Sequence, residues 1–411
     1  MFARHCRRCG EPRDVEPFQY LPLQRLAPSV LLPDFNTEPT FVHIDEPFWV
    51  APLMYRDFLW CLSTTGTVYR FSLFDDKADY IGTMGAGFGQ TPFAITEVMS
   101  DVSVKDWSPF LISINKGSLA GINLLTGAAK QFLIVEFDER ILSSFENQFS
   151  TIVADGRSAC FLKRKGTETY LSICDLSTAK YVDYELGDRI VAGPFKLENS
   201  IGVYFENALD VLGPNGLKEY ALPRNFKSLM SADTGKDLRL PLGRMPFMLD
   251  GKSIYIPGRQ ETLGSSSEER SELEGFLFFT LKGNDPSHNF ISAEGVMSYG
   301  QSSAGHPVVI RNGKISCYRD AGPTLLVEDE QLVARGPAFY ENDLKIGFVN
   351  RGGGGFCLRS FQGEDVFDYP LANLPDFLVP GGFYLTNGRL AFVYRTRQNF
   401  MRFVVWGTYA G

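Results

Sequence analysis

The chain has 411 residues, 44% of them hydrophobic and 13% aromatic, with a formal net charge of −8 at pH 7. That composition supports a large buried core, while the negative balance argues against whole-surface attraction to nucleic acid or anionic lipid. No apolar run approaches the roughly 18 residues of a membrane-spanning helix, so neither a membrane nor a nucleic acid is an expected partner.

Residues 1–38 stand apart as an N-terminal extension. Arg4, Arg7, Arg8 and Arg13 are not followed by the apolar stretch of a secretory signal. Seven cysteines, an odd number, fall mostly singly within predicted strands. A reducing, cytoplasmic location with free, mostly buried thiols is expected. His5-Cys6-Arg-Arg-Cys9-Gly10 resembles one knuckle of a zinc ribbon. Cys6 and Cys9 at this spacing, with His5 as a third ligand, can grip one side of a tetrahedral Zn²⁺. A closed site needs four ligands and no second Cys-x-x-Cys is present. A partner chain or a second copy would complete it, the latter giving a dimer; a degenerate knuckle without metal is the other reading. Residues 11–38 read as an extended segment lying along the next domain.

Residues 39–411 read as repeats. Thr40-Phe-Val-His-Ile-Asp45 alternates as a single strand. Pro52-Leu-Met-Tyr then turns at Arg56-Asp57 into Phe-Leu-Trp-Cys-Leu. Similar hairpins begin at Pro109, Phe149, Pro194, Pro246, Pro307, Pro337 and Pro380. They turn at Asn115-Lys116-Gly117, Asp155-Gly156, Glu198-Asn199, Asp250-Gly251, Asn312-Gly313, Glu341-Asn342 and Asn387-Gly388. Asn-Gly and Asp-Gly between apolar runs are hairpin signals, because these residues tolerate the positive φ of tight turns. A second strand pair follows most hairpins, as at Tyr69–Tyr80, Ala120–Phe132 and Leu171–Val182. Each unit therefore holds four antiparallel strands, and the mean spacing from Pro52 to Pro380 is about 47 residues, that of propeller blades.

The fold predicted is all-β: an eight-bladed β-propeller of four-stranded antiparallel blades, with seven blades as the alternative count. Eight first hairpins but only seven second ones are present. The strand at residues 40–45 is expected to close the last blade, because an open ring would leave a sheet edge unburied.

Gly121-Ile-Asn-Leu-Leu-Thr126-Gly127-Ala-Ala-Lys130-Gln-Phe132 and Cys174-Asp175-Leu-Ser-Thr178-Ala-Lys180-Tyr resemble the outer strand pair of the quinoprotein-like (PQQ-like repeat) β-propellers. The resemblance covers about residues 40–411 and implies the fold, as a non-catalytic member.

Long connections interrupt the repeat at Gly82–Trp107, Pro223–Met245, Ser292–His306, Gly258–Gly275 and Arg351–Phe356. In an up-and-down blade the loop between strands two and three shares one end with the connection to the next blade. All the long segments are thus predicted at one end, and the short turns, with Lys116 and Arg311, at the other. Loops held on a rigid scaffold carry function, so the elaborated end is the expected binding face. Its candidate contact residues are Phe88, Trp107, Phe226, Arg259, Tyr299, His306, Arg351 and Phe356.

Catalytic patterns are missing. There is no Gly-x-Ser-x-Gly elbow, no phosphate loop after Arg351, no Ser-x-Asp-x-Gly-x-x-Trp box and no Trp-Asp dipeptide. The expected function is a non-catalytic protein-interaction scaffold with one or more protein partners. The alternative is a hydrolase or lyase acting on sugars in the mouth of the central channel. Converging carboxylates and a histidine there would favour the enzyme.

Overall fold

The computed structural model describes residues 37–407 with breaks, the longest at 229–247 and 329–340. All regular structure among the described residues is β-strand, and no described helix is long and apolar enough to cross a membrane. The described strands sort into eight antiparallel sheets that follow one another along the chain. Sheets one to eight span residues 53–83, 94–134, 139–187, 191–221, 226–292, 298–328, 341–370 and 377–406. Within each, strands adjacent in sequence are adjacent in space, except that in sheets three and five two short segments side by side in sequence both pair with the second strand. Sheet eight takes its fourth, outermost strand from Thr40–Pro47, which pairs with Phe400–Trp406 from Thr40↔Val405 to Ile44↔Met401.

The core is divided among the gaps between sheets. Separate buried clusters join sheets one and two, two and three, three and four, four and five, and five and six. A further cluster joins sheet eight to sheet one, where Phe403 stacks on Phe71 with ring centroids 4.3 Å apart. Sheets that bury both faces against their neighbours in a ring make a β-propeller. The sequence follows from that geometry. Ser118–Asn123, a third strand with a sheet on either side, is buried at every position. Gly216–Ala221, an outermost strand, carries Lys218 and Glu219 into solvent.

The motif that resembles the quinoprotein-like repeat is a built turn. Asn123 Oδ1 accepts from the amides of Leu125 and Thr126 at 2.9 and 3.1 Å, and Gly127 N donates back to Asn123 O at 2.8 Å. Asp175 Oδ1 does the same for Ser177 and Thr178, and Ala179 N closes the turn on Asp175 O. The fifth residue needs positive φ, 72° at Gly127 and 57° at Ala179. Glycine suits the first copy doubly, since a Cβ there would lie 2.3 Å from Ile81 O of the neighbouring sheet.

Two of the predicted first hairpins are displaced by one strand. Pro109 lies inside Asp106–Ile114, which is the second strand of sheet two; the first is Ala94–Asp101. Pro307 likewise begins a second strand, after Ser298–Gln301. Glu341-Asn342, predicted as a turn, is a short first strand paired with Lys345 and Ile346. A repeated proline misleads here because it also fits a strand where its missing N–H is tolerated. The predicted connections Gly82–Trp107 and Ser292–His306 therefore contain strands, and the true link from sheet one to sheet two is residues 84–93.

Gly258–Gly275, expected as a loop, is strand over 258–263 and 270–275. Ser253–Leu263 and Arg270–Lys282 pair continuously from Ser253↔Thr280 to Leu263↔Arg270, so this stretch is a long β-arm. Gly258 and Gly275 face each other across it. A Cβ at Gly258 would meet Phe226 Cζ at 2.6 Å, and one at Gly275 would meet Phe290 Cζ at 2.8 Å and Ile291 O at 2.1 Å. The glycine pair is the floor on which the Phe226 and Phe290 rings, 6.2 Å apart, pack edge to face. Gly275→Val is expected to destabilise the chain by about 1–3 kcal/mol in urea denaturation through overpacking; an unchanged midpoint would mean that the strand opposite yields.

Candidate functional site

Up-and-down sheets give the ring two ends, and the contacts identify them. Ile141 N donates to Lys116 O at 2.8 Å and Val135 N to Gly117 O at 3.1 Å. The turn at Asn115-Lys116-Gly117 thus lies with the connection between sheets two and three. It belongs to the loop-bearing end, as does Arg311, which pairs with Lys314 across the equivalent turn of sheet six. Both were expected at the opposite end. Trp107 moves the other way. It starts the second strand of sheet two at the short-turn end, where the Arg157 guanidinium lies 5.9 Å from its ring centroid.

The short-turn end is charged, and its charges are spent on joining neighbouring sheets. Arg56 Nη2 lies 3.1 Å from Glu97 Oε1, linking sheets one and two. Lys196 Nζ lies 2.5 Å from Asp155 Oδ2, linking sheets three and four. Arg389 bridges sheet eight to Asp76 and to Phe74 O in sheet one. In these three pairs a carboxylate is matched by a cation on the next sheet, an arrangement that ties neighbouring sheets of the ring together. Among the described residues no group of three or more His, Cys, Asp and Glu is close enough to hold a metal ion. Cys61, Cys160, Cys174 and Cys317 are buried and form no disulfide among the described residues. Burial pushes the Cys160 thiol up to about 12 and Cys174 to about 11, so they are poor nucleophiles.

At the loop-bearing end the candidate residues separate. Phe88 is buried, not exposed. The link 84–93 is pressed onto the Ser63–Gly66 loop by Met84 N→Gly66 O at 2.9 Å, and positive φ at Gly85, Gly87 and Gly89 lets it fold back. Phe226 is also buried, in the core between sheets four and five. Arg259 is exposed on the β-arm and paired with Glu272 and Glu274 at 3.6 and 3.3 Å. Tyr299 and Phe356 lie on strands, Ser298–Gln301 and Gly355–Ser360, and their side chains are outside the described ones. His306, Arg351 and the knuckle residues His5, Cys6 and Cys9 lie outside the described residues.

The sequence reading missed the corner between sheets two and three. The innermost strand of sheet three is split into Glu139–Ile141 and Val153–Asp155, both paired with Ser158–Lys165. Glu139 N donates to Glu136 O at 3.0 Å, closing a turn over residues 136–139. Phe137 at its apex is fully exposed, and Ile134 beside it is 68% exposed. Beneath the turn Lys163, whose side chain is 1% exposed, donates to Glu139 Oε1 at 2.9 Å and Asp183 Oδ2 at 2.7 Å. Its ammonium also lies 4.3 Å from the Tyr181 ring centroid. Burial pulls the Lys163 pKa down, but the hydrogen bonds to Asp183 and Glu139 outweigh it, and the net shift is upward. Lys163 therefore stays charged across the physiological range. The phenylalanine carried no signal in Leu133-Ile-Val-Glu-Phe137, which reads as the interior of a strand.

No protein-family model and no curated protein matches the sequence. Solved structures do resemble it. BamB from Moraxella catarrhalis is 13% identical with a TM-score of 0.48, over 91% of this chain and 98% of that one. Oligogalacturonate lyase from Vibrio parahaemolyticus is 10% identical with a TM-score of 0.48, over 78% and 96%. The computationally designed Ika8 protein is 9% identical with a TM-score of 0.49, over 92% and 99%. None of these likenesses assigns an activity to this chain.

Proposed function

We propose that this chain is a non-catalytic interaction scaffold that engages a protein partner through its loop-bearing end. The observation that carries the reading is the pair Phe137 and Ile134, a large aromatic on a hydrogen-bonded turn and a β-branched side chain at the end of the strand leading into it, both held in solvent. Exposed aromatics on a rigid support are the residues that most often dominate interface energy. The β-arm of sheet five, with Arg259 on its surface, stands at the same end.

The test is affinity capture from an extract of the native host, using the full chain. Wild type should retain a protein at near-stoichiometric yield. Phe137→Ala with Arg259→Glu should lose it, and Leu125→Ala, on an exposed residue of the short-turn end, should not. The reverse pattern would place the interface on the wrong end. Turnover of a sugar polymer by the purified chain, with no protein retained, would overturn the scaffold reading.

A further inference from the structure

Resting on the scaffold reading, we propose that Phe137 is the anchor of that interface and enters an apolar pocket with a basic rim on a different protein. Three features converge on it. The first is presentation. The turn is closed by Glu139 N→Glu136 O, and the segments on either side are tied to the next turn by Val135 N→Gly117 O and Ile141 N→Lys116 O. Glu139 is fixed from below by Lys163. An aromatic held this way loses little conformational freedom on binding, which favours affinity.

The second is charge. Phe137 stands between Glu136 and Asp138, which are 69% and 59% exposed. Lys165 lies 3.8 Å from Glu136 and 3.3 Å from Asp138, so these two exposed carboxylates share one cation, while buried Glu139 is held by Lys163. Arg140 opposes Arg164 in the pairing and, by strand alternation, lies on the other face of the sheet from Glu139. Lys116 is exposed on the adjacent turn. The immediate rim of Phe137 is acidic, and a complementary pocket is rimmed by lysine or arginine.

The third feature excludes a second copy. A two-fold contact through this turn would bring Glu136 and Asp138 against their own equivalents, and like charges juxtaposed at an interface are costly.

The experiment places the photoreactive residue p-benzoylphenylalanine at position 137 of the full chain in its native host. The crosslinked protein is identified, purified and titrated against variants. Phe137→Ala should bind about 30-fold more weakly or worse, the loss of a hot-spot aromatic. Glu136→Lys with Asp138→Lys should weaken binding about tenfold at low salt, with the difference shrinking as salt is raised. Leu125→Ala should bind as wild type. Because Phe137 makes no buried contact, its variant should melt at the wild-type temperature. Crosslinking only to another copy of the chain would overturn the proposal, as would a partner that binds Phe137→Ala as tightly as wild type. In that last case the scaffold reading survives; with no partner captured by any means, both fall.

Discussion

Removing residues 1–47 should abolish the cooperative thermal transition, because that deletion takes the outermost strand from sheet eight and the clasp from sheet one together. Ile44 and Phe48 are buried in the cluster that also holds Phe71 and Phe403. Arg402 reaches back to Asp45 at 3.0 Å and to Ile44 O at 3.3 Å. On the other side, Glu46 accepts from Tyr69 Oη at 2.5 Å and Thr65 Oγ1 at 2.7 Å, and Thr64 N donates to Pro47 O at 2.9 Å. Without the strand, Phe400–Trp406 presents an open edge and sheet one an uncovered face. The point variant Phe48→Ala keeps the test quantitative: it should cost about 3–5 kcal/mol in urea denaturation, the range for emptying a buried phenylalanine site. A truncated chain that melts as wild type does would refute the closure. The clasp also sets a pH dependence. Burial raises the Glu46 carboxyl, but hydrogen bonds from Ser63, Tyr69 and Thr65 outweigh it and hold the carboxyl below its usual range. Its contribution is therefore fully present above the unfolded value of about 4.3 and is lost as pH falls through the lower folded value.

Lys163→Met should be nearly as damaging. Removing the ammonium leaves Glu139, 5% exposed, without its buried cation, and breaking a buried pair from one side costs about 3–5 kcal/mol. Lys165, 3.6 Å from Glu139, is half in solvent and replaces little of the loss. The triple variant Lys163→Met, Glu139→Gln, Asp183→Asn should recover most of the stability, since no uncompensated charge then remains. Chemical denaturation of the three proteins measures it. A loss in Lys163→Met below about 1 kcal/mol would show that solvent or Lys165 takes over the pair. The same variant frees the strand Glu139–Ile141 from its side-chain anchor, so the Phe137 turn should exchange its amide hydrogens faster than the rest of sheet three.

Much of the fold was legible because it is written in local chemistry. Period-two alternation, Asn and Asp at turns, and a glycine where φ is positive depend only on residues a few positions apart. They sufficed for the all-β class, the four-stranded unit, the turn at Asn123 and Asp175, and a strand at residues 40–45, which in the structure is Thr40–Pro47. What those signals cannot carry is a strand's place within its sheet. Pro109 and Pro307 look like Pro52, yet two of the three begin or lie in second strands, and only the pairing partners Glu97 and Gln301 reveal it. That slip moved Lys116, Arg311 and Trp107 to the wrong ends of the ring.

Exposure was decided later still. Phe88 and Phe226 sit in segments rich in polar residues and read as surface, but one is folded under a connection and the other packs on a glycine pair. Phe137, between Glu136 and Asp138, drew no expectation from the sequence, and the split first strand of sheet three turns it into solvent. Whether an aromatic is buried depends on what the rest of the chain brings against it. In a propeller that is always a neighbouring sheet, contributed by residues some fifty positions away or, for Phe71 and Phe403, by the opposite end of the sequence.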